Sequence, residues 1–170
     1  MTKFNGDTAD EFLEAAHKKY GGTGAGETTY TPPKVKTVFK DGKLSKVDFD
    51  PPKIDMDYAE AGVGKPDDNN KAAIKKIADM AEEHEKNHKA SYEATFKTWS
   101  QKAEKDLTSK SYKDAKEAQK AIQDALDDFK KQMYDACVEL HKKEGKIVAK
   151  TNKDGTVDVS MAPSGPAGCK

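Results

Sequence analysis

The sequence predicts an α+β protein: a short N-terminal helix, a small antiparallel sheet with an edge strand, a long antiparallel helical hairpin and a C-terminal β-hairpin. Three observations carry this. Apolar residues recur at three- and four-residue spacing from Ile74 to Leu107 and again from Tyr112 to Leu140, the period of amphipathic helices. Residues 34–58 alternate with period two, as half-buried strands do. Asp41-Gly42, Pro51-Pro52 and Asn152-Lys153-Asp154-Gly155 punctuate these segments with turn residues. The 170 residues read as one domain with room for a core. Residues 1–30 are expected to hold the first helix and a flexible Gly-rich linker, and 161–170 a mobile tail.

Taken in order, residues 7–20 form the first helix, with Asp7 or Thr8 as cap and Phe12, Leu13, Ala16 and Tyr20 on its inner face. His17 reads as an exposed residue of that helix. Gly21-Gly22-Thr23-Gly24-Ala25-Gly26 then breaks it. A phosphate-binding loop would need a preceding strand and a following G-K-[ST], and neither is present, so this is a linker. Val35, Thr37 and Phe39 alternate with lysines, and residues 44–49 return across the Asp41-Gly42 turn as a hairpin. Residues 53–58 alternate again, with Ile54, Met56 and Tyr58 on one face and Asp55 and Asp57 on the other. Flanking prolines and outward acids suggest the edge strand.

The long helix is expected over 69–107, capped by Asp67 or Asp68. After a break at 108–110, Ser111 with Asp114 starts the second helix. Its inner stripe is Tyr112, Ala115, Ile122, Leu126, Phe129, Met133, Cys137 and Leu140, and Lys142, Lys143 and Gly145 end it. Residues 146–150 and 156–160 read as the last hairpin.

The long helix contains His84-Glu85-Lys86-Asn87-His88. Residues four apart share a helix face, so His84 and His88 can hold one metal ion between them. Glu85 beside them supplies a carboxylate base. Two neutral nitrogen ligands, an open coordination position and a base are what a zinc hydrolase needs. Glu82, Glu83, Lys86 and Lys89 crowd the same region and allow the plainer reading of a solvated face. The stripe Ile74, Ile77, Ala81 continues through the histidines to Tyr92, Phe96 and Trp99, which turns them inward.

A third ligand must come from the second helix. With the hairpin centred near 108–111, the level of His84 falls at 133–138. His141 lies about one turn beyond this level but is the best zinc donor nearby; Asp135 and then Glu139 are the alternatives. Cys137 and Cys169 are the two cysteines of the chain; spacing alone allows either a disulfide or two thiols.

Composition narrows the partners. Thirty basic residues balance thirty acidic ones, which argues against a nucleic-acid stripe. No apolar run reaches the roughly 20 residues of a membrane span, and the first residues lack a signal peptide's apolar segment.

The H-E-x-x-H helix resembles that of zincin metallopeptidases. The layout of residues 34–145 is also similar to a bacterial family described as secreted zinc-dependent proteases. That family places strands first, then an H-E-x-x-H helix, then a second helix ending in Tyr-Asp with a His and a Gly close behind; Tyr134-Asp135, His141 and Gly145 correspond. The resemblance implies a secreted or periplasmic zinc endopeptidase, acting as a monomer on a peptide or protein. Zn2+ would be held by His84, His88 and His141, with Glu85 as general base. The strand 53–58 would pair with the extended peptide, and Tyr58, Tyr92 or Tyr134 would steady the oxyanion. Two rival readings remain open: a non-catalytic metal-binding module, and a helical interaction module such as a secreted effector.

Overall fold

A computed structural model describes the whole chain except Gly22, Thr23, Gly42, Ala167 and Lys170. The fold is α+β, with the elements β1 (Thr2–Phe4), α1 (Ala9–Tyr20), β2 (Gly26–Tyr30), β3 (Val35–Lys40), β4 (Lys43–Phe49), β5 (Ile54–Ala61), α2 (Asp68–Ser109), α3 (Ala115–Glu144), β6 (Lys146–Thr151) and β7 (Val157–Ala162). The chain divides into two compact units. The first comprises Met1–Thr29, Asp55–Lys89 and Cys137–Lys170; the second comprises Tyr30–Ile54 and Ala90–Ala136.

The first unit is built on a three-stranded sheet of order β1-β5-β2. The strand expected at the edge is therefore the central one. β1 pairs parallel to β5, with Thr2 opposite Ala59 and Phe4 opposite Ala61. Two features concealed this. β1 has three residues, too few to show a period, and β2 reads Gly-Glu-Thr-Thr-Tyr, with no apolar alternation. The linker expected up to residue 30 thus gives way to β2 at Gly26, and its Gly22 and Thr23 lie outside the described residues. Asp55 and Asp57 lie on a central strand, where Asp57 binds Lys19 at 2.8 Å and Thr2 at 2.9 Å. α1 begins at Thr8, whose hydroxyl accepts the Glu11 N–H while Glu11 reaches back to the Thr8 N–H, a reciprocal cap. Phe12, Leu13 and Ala16 of α1 bury against Ala59 of β5, Ile74, Ile77 and Ala81 of α2, Ile147 and Val159. The last two come from the antiparallel β6–β7 hairpin, in which Ile147 faces Met161.

The second unit holds the antiparallel β3–β4 hairpin, whose register shifts between Val38 and Phe39. The Asp41-Gly42 turn lies partly outside the described residues; Asp41 itself has φ 51°. Leu44, Val47 and Phe49 of β4 are buried. Phe49 stacks on Trp99 at 4.6 Å between ring centroids, and Trp99 on Phe129 at 4.7 Å.

The two long helices form the expected antiparallel hairpin, with small changes at their ends. Asp67 caps α2, its carboxylate accepting the Asn70 N–H at 2.8 Å. Asp114, rather than Ser111, caps α3 by accepting the Glu117 N–H at 2.9 Å, because a carboxylate facing a first-turn N–H is the stronger acceptor. Tyr112 precedes the helix and donates its hydroxyl to the Leu107 carbonyl.

Candidate metal centre

The site lies within the first unit and is assembled from α2 and α3. Around the motif the buried positions of α2 are Ala81, Glu85, His88 and Tyr92, with His84 half-buried at the margin. Glu85, not His84, occupies the centre of the stripe. From Phe129 onward the buried residues of α3 fall every fourth position, Phe129, Met133, Cys137 and His141. His141 therefore stands in the stripe itself, in place of the expected Leu140.

His141 meets the two α2 histidines because the hairpin turns later than its sequence suggests. The second helix starts at Ala115. Within the first unit His88 lies beside His141, and within the second Trp99 lies beside Phe129. Both pairs are centred close to Asp114. That shift removes the turn by which His141 had seemed too far along. Asn87 adds a tie, donating from Nδ2 to Glu144 Oε1 at 2.9 Å.

The three imidazoles converge through one kind of atom. His88 Nε2 lies 3.1 Å from His84 Nε2 and 3.0 Å from His141 Nε2. A ring nitrogen has a single in-plane position, filled by either a proton or a lone pair. One proton cannot bridge two neighbours, so no choice of tautomers satisfies both contacts at once. Ionising the rings does not help either. Burial lowers the His84 pKa to about 4, with the charge of His141 adding to it. Burial also lowers that of His88 to about 3, with the charges of His84 and His141 adding. Both rings are neutral at pH 7 and offer lone pairs. A tetrahedral ion with metal–nitrogen bonds of 2.0–2.1 Å spaces its ligands about 3.3 Å apart, close to the separations found. His84, His88 and His141 could hold a metal ion.

No protein-family model, no curated protein and no solved structure matches this chain. The geometry of the site therefore stands on its own residues.

Behind the histidines the sites of support differ. His141 is enclosed by the C-terminal segment. Its backbone carbonyl accepts the Ser164 N–H at 2.8 Å, and its Nδ1 lies 3.4 Å from the Gly165 carbonyl. Such a carbonyl fixes Nδ1 as the protonated nitrogen and leaves Nε2 for a metal. Cys169 is disulfide-bonded to Cys137, one turn before His141. The segment expected to be a tail is thus joined to α3, and its first residues, Met161 and Ala162, belong to β7. His84 Nδ1 is buried without a hydrogen-bond partner among the described residues.

Glu85 is 2% exposed. Thr28 of β2 donates its hydroxyl to Glu85 Oε2 at 2.6 Å. Burial raises the carboxyl pKa to about 7; the Thr28 hydrogen bond opposes this, and the charges of Glu27 and Asp57 reinforce it. Gly26 is part of the same arrangement, since a Cβ there would sit 2.6 Å from Glu85 Oε1 and 2.7 Å from its Cγ. Lys86 turns away and pairs with Glu82 at 2.8 Å.

Among the described residues, Asp135 and Glu139 take no part in the histidine cluster. Asp135 pairs with Lys131 at 2.7 Å, and Glu139 pairs with Lys142; all four are exposed. Tyr58 lies beside Glu82 and Glu60. Tyr92 is buried against Tyr30, and Tyr134 is 40% exposed. His17 is half-buried rather than exposed. Sequence reasoning missed Thr28 and Gly26. The signal for Gly26 was its place at the end of a glycine run, where a strand passes close over a side chain.

Proposed function

We propose that the protein is a zinc-dependent endopeptidase. The observation that carries this reading is the ligand count. Three imidazoles converge, and among the described residues no further His, Cys, Asp or Glu joins them. Structural zinc sites are closed by four protein ligands, whereas catalytic sites have three and keep one position open. Zinc bound there would supply Lewis acidity to a peptide carbonyl and to the attacking water.

The chain's own residues supply the rest. Glu85 adjoins His84 in sequence and is held by Thr28. In this reading it accepts the proton of the attacking water and returns it to the leaving amine. The peptide-pairing role moves from β5 to β2, because β2 is an outer strand of the sheet and carries Thr28. Tyr58, Tyr92 and Tyr134 are the candidates for steadying the oxyanion. The disulfide agrees with an exported or periplasmic setting. No described helix is long and apolar enough to cross a membrane.

Glu85→Gln tests the reading. The variant should keep its zinc and its melting temperature and lose peptide cleavage by a factor of about 100 to 10,000, measured on an unfolded protein substrate with and without chelator. Wild-type cleavage by zinc-loaded Glu85→Gln would remove the general base. A zinc-loaded wild type that cleaves nothing would leave a metal-binding module.

A further inference from the structure

His141 presents its two ring nitrogens to two different ligand sets. Nε2 faces the histidines at 3.0 Å from His88. Nδ1 faces the sulfurs, 3.8 Å from Cys169 Sγ. Cys137, His141 and Cys169 offer ligand atoms that all lie within 4.8 Å of one another. We propose that these three residues form a second metal site, for a thiophilic dication such as zinc, which opens when the Cys137–Cys169 disulfide is reduced. The site shares His141 with the peptidase reading but does not rest on it.

The geometry requires little movement. Zinc–sulfur bonds of 2.3 Å and zinc–nitrogen bonds of 2.0–2.1 Å place tetrahedral ligands about 3.8 Å apart for two sulfurs and about 3.5 Å for sulfur and nitrogen. Nδ1 and Cys169 Sγ are already at 3.8 Å. The freed sulfurs must sit about 3.8 Å apart, which side-chain rotation allows at a Cα–Cα distance of 5.8 Å. The segment also has anchors besides the disulfide. Gly145 N–H binds the Ala162 carbonyl at 3.0 Å, Ser164 N–H binds the His141 carbonyl at 2.8 Å, and Cys169 N–H turns back to the Pro166 carbonyl at 3.0 Å. The first two bonds hold the chain beside His141 as far as Ser164, and the third folds Cys169 back onto that segment, without the S–S bond.

The chemistry balances with a dithiol reductant. Its two thiols become a disulfide, the Cys137–Cys169 bond breaks, and the two electrons and two protons pass to Cys137 and Cys169 as thiols. Binding a dication then releases both thiol protons and leaves two thiolates, while the ring proton of His141 leaves Nδ1, where it faces the Gly165 carbonyl, for Nε2, so that Nδ1 can ligate. A neutral imidazole has one lone pair, so His141 serves one set at a time. Reduction thereby withdraws the third ligand from the histidine site.

Cobalt(II) added to the full chain, disulfide-intact or reduced without oxygen, tests this. Thiolate ligation gives a sulfur-to-cobalt charge-transfer band and imidazole ligation does not. The band is expected in the reduced protein alone. His141→Ala should weaken its cobalt affinity about tenfold or more. The His84→Ala/His88→Ala double variant should keep the band when reduced, even where its oxidised form binds no cobalt, so failure of the histidine site and failure of this site are read separately. The proposal is overturned by a reduced wild type without the band, by a band indifferent to His141→Ala, by loss of the band in a folded double variant, or by loss of helical circular dichroism on reduction alone.

Discussion

The two units use the same pair of helices in opposite ways. In the second, α2 and α3 face each other through rings: Trp99 and Phe96 against Phe129, with Tyr30 and Tyr92 completing the cluster. In the first, the equivalent inward positions are Glu85, His88, Cys137 and His141, with alanine at 81. Phenylalanine rings bury on contact and ask for nothing further, and tyrosine and tryptophan ask only for a partner at one polar tip. Imidazoles and a carboxylate taken from water need partners, because burial of an unpaired polar group is costly. Helical spacing decides which face turns inward; the side chains placed there decide whether that face is a core or a site.

The comparison can be broken at named residues. The largest effect is expected in the second unit. Phe129 is fully buried and touches Tyr30, Phe96 and Trp99, so Phe129→Ala should lower stability by about 3–5 kcal/mol in denaturant unfolding, with metal bound per folded molecule unchanged. A loss below about 1 kcal/mol, far under the usual range for such a truncation, would show that the ring cluster is not a core. The next effect belongs to the first unit and depends on metal. Zinc at a hundredfold excess over its dissociation constant should stabilise the wild type by about 2.7 kcal/mol and His88→Ala not at all. Equal zinc-induced shifts in melting temperature would refute the histidine site.

The smallest effect sharpens the role of β2. Gly26→Ala puts a methyl group against the Glu85 carboxylate. Crowding of this kind typically costs about 1–3 kcal/mol. The zinc content should stay at the wild-type level while cleavage falls, since the group displaced is the proposed base and not one of the three imidazoles. If instead zinc is lost and stability is unchanged, the contact between β2 and Glu85 matters to the metal and not to the base.

Much of this molecule was legible in its sequence, and for a physical reason. Helix periodicity is local, so α2 and α3 could be read from Ile74, Ile77, Ala81 and from Ile122, Phe129, Met133. The hairpins β3–β4 and β6–β7 were legible because each is closed by its own turn. The pairing of His84 with His88 is likewise set by helix geometry alone. What was not legible depends on partners far along the chain. Whether residues 54–61 form an edge or a centre depends on β1 and β2, which are too short or too polar to announce themselves. The level of His141 depends on where the hairpin turns, and five residues between Ser109 and Ala115 move it by more than a turn. Glycine at 26 reads as linker until Glu85 is placed beneath it.

Sequence by itself thus determined the local periods, the helix that carries His84, Glu85 and His88, and the class of the fold, because each follows from neighbours within one or two turns. Tertiary structure alone decided that His141 is the third imidazole, that Thr28 and Gly26 hold Glu85, and that Cys169 returns to Cys137. Those are meetings between distant segments, and their distances are set by packing and by where the chain turns, which no local spacing encodes.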